Sequence, residues 1–229
     1  LRETIPSLYI GAEFDYQHLS DVTFNHTDPE NPIQLPAGSE GSSNLGLGLG
    51  IVYDNRHNVL NVRKGLFNEL AFLRYDKSWS SDFNFTSVVS DNRIYRPINT
   101  RDVLAAQLFG QFTIAGQAPF NQLALMGGES IMRGYYLGRY RDNNLITGQV
   151  EYRFLPLPFG FSKRFGASLF AGAGQVFGQE HDFDFSRFLP TGGVGLKFLL
   201  FPQKDIYTRI DVAFTEEGPG FYFFIGEAF

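Results

Sequence analysis

The densest run of potential ligands in this chain is Glu180-His181-Asp182, with Asp184 two residues on. Such a cluster could hold a cation weakly, but a solvated connection accounts for it more simply. The other histidines, His18, His26 and His57, show no ligand spacing, and the absence of cysteine excludes thiolate metal sites and disulfide scaffolds. Ser130 sits in GESIM, without the second glycine of a nucleophile elbow, and no Ser/His/Asp order supports a phospholipase. Gly46, Gly48 and Gly50 mimic part of a dinucleotide fingerprint, yet no helix start follows to receive a pyrophosphate. Asn25-His26-Thr27 matches a glycosylation sequon. Enzyme is the least supported class, so no catalytic residue, metal or cofactor is expected.

The elements that carry these residues are strands. Helical periodicity is absent and period-two alternation recurs. Leu8, Ile10, Ala12, Phe14 and Tyr16 share one face, opposite Tyr9, Gly11, Glu13, Asp15 and Gln17. Leu45, Leu47, Leu49, Ile51 and Tyr53 oppose Gly46, Gly48, Gly50, Val52 and Asp54. Similar segments cover 103–115, 145–154 and 206–214, with weaker ones near 66–77, 82–96, 164–177, 190–201 and 219–229. Ten strands are counted, within a range of eight to twelve, as a single domain over 1–229.

The two faces have different chemistry. One carries Leu, Ile, Val and rings; the other carries Gly, Gln, Asp, Glu and Arg, including Glu151 and Arg209. Tyr16, Tyr53, Tyr75, Tyr152, Phe154 and Phe229 fall toward strand ends, which puts the 16% aromatic share to use as girdles. The fold expected is all-β: a transmembrane antiparallel up-and-down barrel with an apolar exterior and a polar lumen. A closed sheet pairs every backbone group within lipid. A soluble sandwich is the alternative. No run approaches the roughly 18 apolar residues of a spanning helix. The formal charge, 19 − 24 = −5, argues against a nucleic-acid surface.

Connection lengths fit the barrel. The longest, 20–42, 116–143 and 178–189, all fall on one side, as outer loops do, while the inner turns are short. The opening LRETIPSLYI lacks an initiator Met or signal pattern, which suggests a processed or trimmed product. The last segment, FYFFIGEAF, places Phe221, Phe223, Ile225 and Phe229 as a C-terminal insertion signal of the outer-membrane type.

The 116–143 connection reads GQAPFNQLALMGGESIMRGYYLGRYRDN, and LITGQVEYRF follows. The GG-x4-RGY pattern before a strand containing EYRF closely resembles the sixth outer loop of the bacterial surface-antigen (BamA/TamA-like) superfamily. LGLGIVYDNRHNVLNVRKG and the block from Thr191 to Phe229 resemble further parts of it, and together these cover most of 43–229.

The resemblance implies a lumen-folded loop carrying Gly127, Gly128, Arg133, Gly134 and Tyr135, with Arg133 paired to Glu151. It also implies a second acidic partner where this chain has Gly172, unless Asp211 or Glu13 substitutes. A buried pair of this kind could equally be a plug that holds the barrel's shape. The large members have about sixteen strands and periplasmic POTRA domains. This chain resembles their later part: a short barrel, a sheet completed between copies (a homodimer), or a piece of a longer protein. The function implied is outer-membrane protein or lipid assembly, insertion or translocation in the bacterial outer membrane. The alternative is a structural anchor whose loops bind a partner. Expected partners are outer-membrane lipid, client outer-membrane proteins or a periplasmic accessory protein, and no nucleic acid.

Overall fold

A computed structural model describes residues 1–24, 35–157, 162–179 and 181–229. Period-two sequence produces a meander of long antiparallel strands. β1 (Arg2–Ile5), β2 (Leu8–Leu19), β3 (Ser42–Asp54), β4 (Gly65–Tyr75), β5 (Phe85–Pro97) and β6 (Asp102–Gly116) succeed one another across one sheet. β7 (Ala124–Met126) and β8 (Tyr140–Asp142) make a separate two-stranded ribbon within the long connection that follows. β9 (Asn144–Phe154) then pairs with β6. With β10 (Phe165–Phe177), β11 (Leu189–Phe201), β12 (Ile206–Thr215) and β13 (Gly218–Ile225), the sheet has eleven strands. β1 and β13 are its edges, and no pairing joins them among the described residues.

The sheet's eleven strands fall within the eight to twelve expected, one more than the ten counted, and the two-stranded ribbon is additional. Arg2–Ile5 folds back on β2 through a turn in which Ser7 takes a left-handed φ of 69°. Four residues are too few for alternation to be read. The three-residue strands β7 and β8 escape notice for the same reason.

The two faces separate sharply. On β9, Glu151 is 0% exposed while its neighbour Val150 is 50% exposed. Asp91, Gln107, Gln149, Arg153 and Lys197 are buried, whereas Leu47, Leu49, Ile51, Leu108, Leu169, Leu196, Ile210 and Phe221 are exposed. A soluble sandwich would invert this. An apolar band of this extent is stable against hydrocarbon rather than water, and burial of the polar face then marks the interior of a membrane barrel. Among the described residues no helix is long and apolar enough to cross a membrane.

Two aromatic placements are corrected. Tyr75 is not part of the rim: it points inward, donates to Asp15 Oδ2 at 2.7 Å and stacks on Phe85 at 4.1 Å. The strand expected over 219–229 stops at Ile225. Gly226, with φ 102°, turns the last residues into the lumen, where Phe229 is buried with Val62, Tyr95, Ala105 and Ala228. Charge explains the turn, because Glu227 finds cations inside. Asn25-His26-Thr27 and Glu180 lie outside the described residues.

Candidate functional site

Three segments meet in the lumen: the connection after β6, the 55–64 connection after β3, and the tail after β13. The first is held by Arg133. Its Nη2 donates to Glu151 Oε2 on β9 at 2.7 Å, and its Nη1 donates to Asp211 Oδ2 on β12 at 2.7 Å. The guanidinium also lies 3.5 Å from the centroid of the Phe170 ring on β10. A planar fork of donors suits two carboxylates on different strands, whereas an ammonium would engage them as a point charge. Asp211 therefore supplies the second anchor. Gly172 leaves no room for one, since a Cβ there would sit 2.9 Å from the Gly148 carbonyl oxygen. Glu13 lies against Gly50 on the neighbouring strand β3.

The residues beside Arg133 tighten the loop. The Gly134 N–H donates to the Tyr222 hydroxyl on β13 at 2.7 Å, and Tyr135 donates to the Pro190 carbonyl on β11 at 2.9 Å. The Thr191 hydroxyl donates to the Arg133 carbonyl. Gly134 has φ 108°, and a Cβ there would strike Thr215 Cγ2 at 2.4 Å, so glycine is required for both conformation and space. Gly127 is equally constrained, with φ 121° and the Tyr136 carbonyl oxygen 2.2 Å from where a Cβ would be. Gly128 donates its N–H to the Tyr135 carbonyl at 2.9 Å, closing the turn. The loop thus touches β9, β10, β11, β12 and β13.

Sequence reasoning missed how far the charge extends. Glu151 also accepts from Lys197 at 2.9 Å and from Arg153 Nε at 3.1 Å. Glu227, from the tail, pairs with Lys197 and lies 3.2 Å from Arg153 Nε. Arg153 further donates to the Val62 carbonyl at 3.3 Å and the Phe229 carbonyl at 3.2 Å, tying the two inner segments together. Arg209 is 3.4 Å from Asp211 and stands 4.0 Å over the Phe224 ring, yet its nitrogens make no hydrogen bond. Four cations, Arg133, Arg153, Lys197 and Arg209, face three carboxylates, Glu151, Asp211 and Glu227. The available signal was charge at inward positions of apolar strands, which is costly and marks a use. Phe221, Phe223 and Ile225 line the outward side of β13, while Phe229 lies inside. No group of three His, Asp or Glu suited to a metal occurs among the described residues.

A membrane barrel whose outer loop is drawn inward and pinned by buried ion pairs is the class that fold and site define. The profile of the Omp85 superfamily domain matches residues 4–229, and the chain belongs to that superfamily. No curated protein matches it. Among solved structures it is similar to BamA from Haemophilus ducreyi lacking POTRA domains 1–3, with 18% identity and a TM-score of 0.68. That likeness covers 97% of this chain and 51% of the other, so the chain spans about half the length of that relative.

Proposed function

We propose that this chain is an outer-membrane barrel that assists assembly, insertion or translocation of other outer-membrane proteins. The observation that carries this reading is the lumen loop that Arg133 pins to Glu151 and Asp211 in a chain of the Omp85 superfamily, with no pairing between β1 and β13 among the described residues. An edge offers a row of unpaired N–H and C=O groups, the ready template for an incoming strand. With Arg133, Phe170, Arg153 and Phe229 filling the interior, action at the edge is favoured over passage through the middle. Arg133 and Glu151 act as a positioning pair that keeps the loop against β9 to β13. Phe221, Phe223 and Ile225, followed by Phe229, are the segment read during the barrel's own insertion, before the tail folds inward. Clients, a periplasmic accessory protein and outer-membrane lipid are the partners this role requires.

The rival reading is a structural anchor, and the filled lumen is the observation in its favour. A liposome assay separates the two. The chain has no cysteine, so one cysteine on β1 or β13 reports contact with a cysteine-bearing client unambiguously. Faster client folding together with edge-specific disulfides is expected. Unchanged client folding without such adducts would leave the anchor reading standing.

A further inference from the structure

The outward wall carries a groove of about 690 Å³ across β4, β5, β6, β9 and β10, lined among others by Asn68, Asn92, Ala106, Leu108, Gly148 and Ala171. Its volume is that of a small-molecule site. The small residues Ala106, Gly148 and Ala171 form a floor between bulkier neighbours such as Leu108 and Val150. Two amides interrupt this apolar surface. Asn68 and Asn92 are cross-strand partners on β4 and β5. Their outward direction follows from their neighbours: Phe67 lies beneath the inward guanidiniums of Arg56 and Arg93, and Asp91 is buried. The Asn92 amide donates one hydrogen to Ser90 Oγ at 2.8 Å and keeps the other, and the Asn68 side chain makes no hydrogen bond with another described residue.

Unsatisfied amides facing hydrocarbon are costly, so a ligand with polar atoms at that depth is favoured. A cation completes the pattern. Arg96 lies on the same strand and face as Asn92, four residues nearer the short-turn end, which is about 10 Å along the membrane normal for a tilted strand. It is exposed and has no ion pair with a described residue. Apolar groove, amide donors and a free guanidinium at the rim follow the layers of one membrane lipid.

We propose that this groove binds one diacyl phospholipid with an anionic phosphodiester. An acyl chain lies over Ala106, Gly148 and Ala171, the ester carbonyls accept from Asn68 and Asn92, and the phosphate pairs with Arg96. The site rests on the outward face being lipid-embedded and is independent of any assembly role.

The test is native mass spectrometry of the detergent-solubilised chain titrated with phosphatidylglycerol and, separately, with diacylglycerol. Three variants divide the site: Arg96→Gln, the double change Asn68→Leu with Asn92→Leu, and Gly148→Val. A Cβ at Gly148 meets nothing nearer than 4.0 Å, so that side chain fills the groove without disturbing the strand. Each variant should weaken phosphatidylglycerol binding at least fivefold, while the heat-modifiable folded fraction on a gel stays unchanged. Arg96→Gln should leave diacylglycerol binding as it was. Equal phosphatidylglycerol binding by wild type and Arg96→Gln would overturn the proposal. So would loss of a dimer, rather than of lipid, in Gly148→Val, which would make the groove an interface between copies.

Discussion

Arg133 and Asp211 lie 78 residues apart in sequence and meet at 2.7 Å in a part of the lumen where neither side chain is exposed. That contact makes the loop's anchor double, with Glu151 on the other side of the same guanidinium. The two carboxylates are nevertheless unequal. Glu151 serves Arg133, Arg153 and Lys197 at 2.7, 3.1 and 2.9 Å, whereas Asp211 serves Arg133 at 2.7 Å and Arg209 more loosely at 3.4 Å.

Glu151→Gln should therefore destabilise the barrel more than Asp211→Asn. Removing one partner of a buried pair costs roughly 3–5 kcal/mol, and the loss of Glu151 takes one carboxylate from each of four cations, Arg133, Arg153, Lys197 and Arg209. Urea titration followed by the heat-modifiable gel shift measures both. In liposomes the loop of Glu151→Gln should become protease-sensitive, with Asp211→Asn intermediate. Equal effects would show that the charge is shared evenly.

Gly172→Asp should not strengthen the pin, although the resemblance in the sequence implies an acid there. Its Cβ would crowd the Gly148 carbonyl oxygen at 2.9 Å and Gln149 Cβ at 3.0 Å. Overpacking of this kind costs about 1–3 kcal/mol. A lower urea midpoint is expected, and a higher one would mean that β9 and β10 can part to admit the side chain.

Leu49→Arg should cost about 2–4 kcal/mol as a lipid-facing charge near mid-membrane. Gln111→Arg, facing a lumen cavity of about 260 Å³ beside Gln17 and Gln122, should cost much less. Refolding titrations into liposomes compare them, and equal costs would contradict the assignment of faces.

Phe229→Ala should lower the unfolding midpoint, because the ring is 4% exposed and packs near Tyr95 and Arg153. Truncating a buried Phe costs about 3–5 kcal/mol. Phe221→Ala, exposed on the outward side, should change the midpoint little yet slow insertion if that segment is read as a signal. Identical behaviour of the two would remove the distinction between an inner and an outer ring.

Much of this arrangement is legible in the sequence because membrane strands impose strict alternation. Leu47, Leu49 and Ile51 had to face lipid once Gly46, Gly48 and Gly50 faced inward, and Glu151 fell on the polar side by counting twos. The loop's composition, with Gly127, Gly128 and Gly134 around Arg133, carried the resemblance to a superfamily loop. What was not legible depends on distance in space. Nothing local to Asp211 says that it meets Arg133, and nothing in GEAF says that Gly226 turns it inward. Tyr75 was misread as a rim residue because a ring at a strand end looks the same whether it meets an interface or Asp15. Strands of three or four residues, such as β1, β7 and β8, cannot display a period at all.

The inward turn at Gly226 has a practical side. Lys197 and Arg153 receive Glu227 from beyond β13, so residues that follow the last strand complete the interior. Anything appended after Phe229 starts from inside the wall, with Val62 and Tyr95 against it. An affinity handle at that end must thread out through the short-turn opening or pull the tail free.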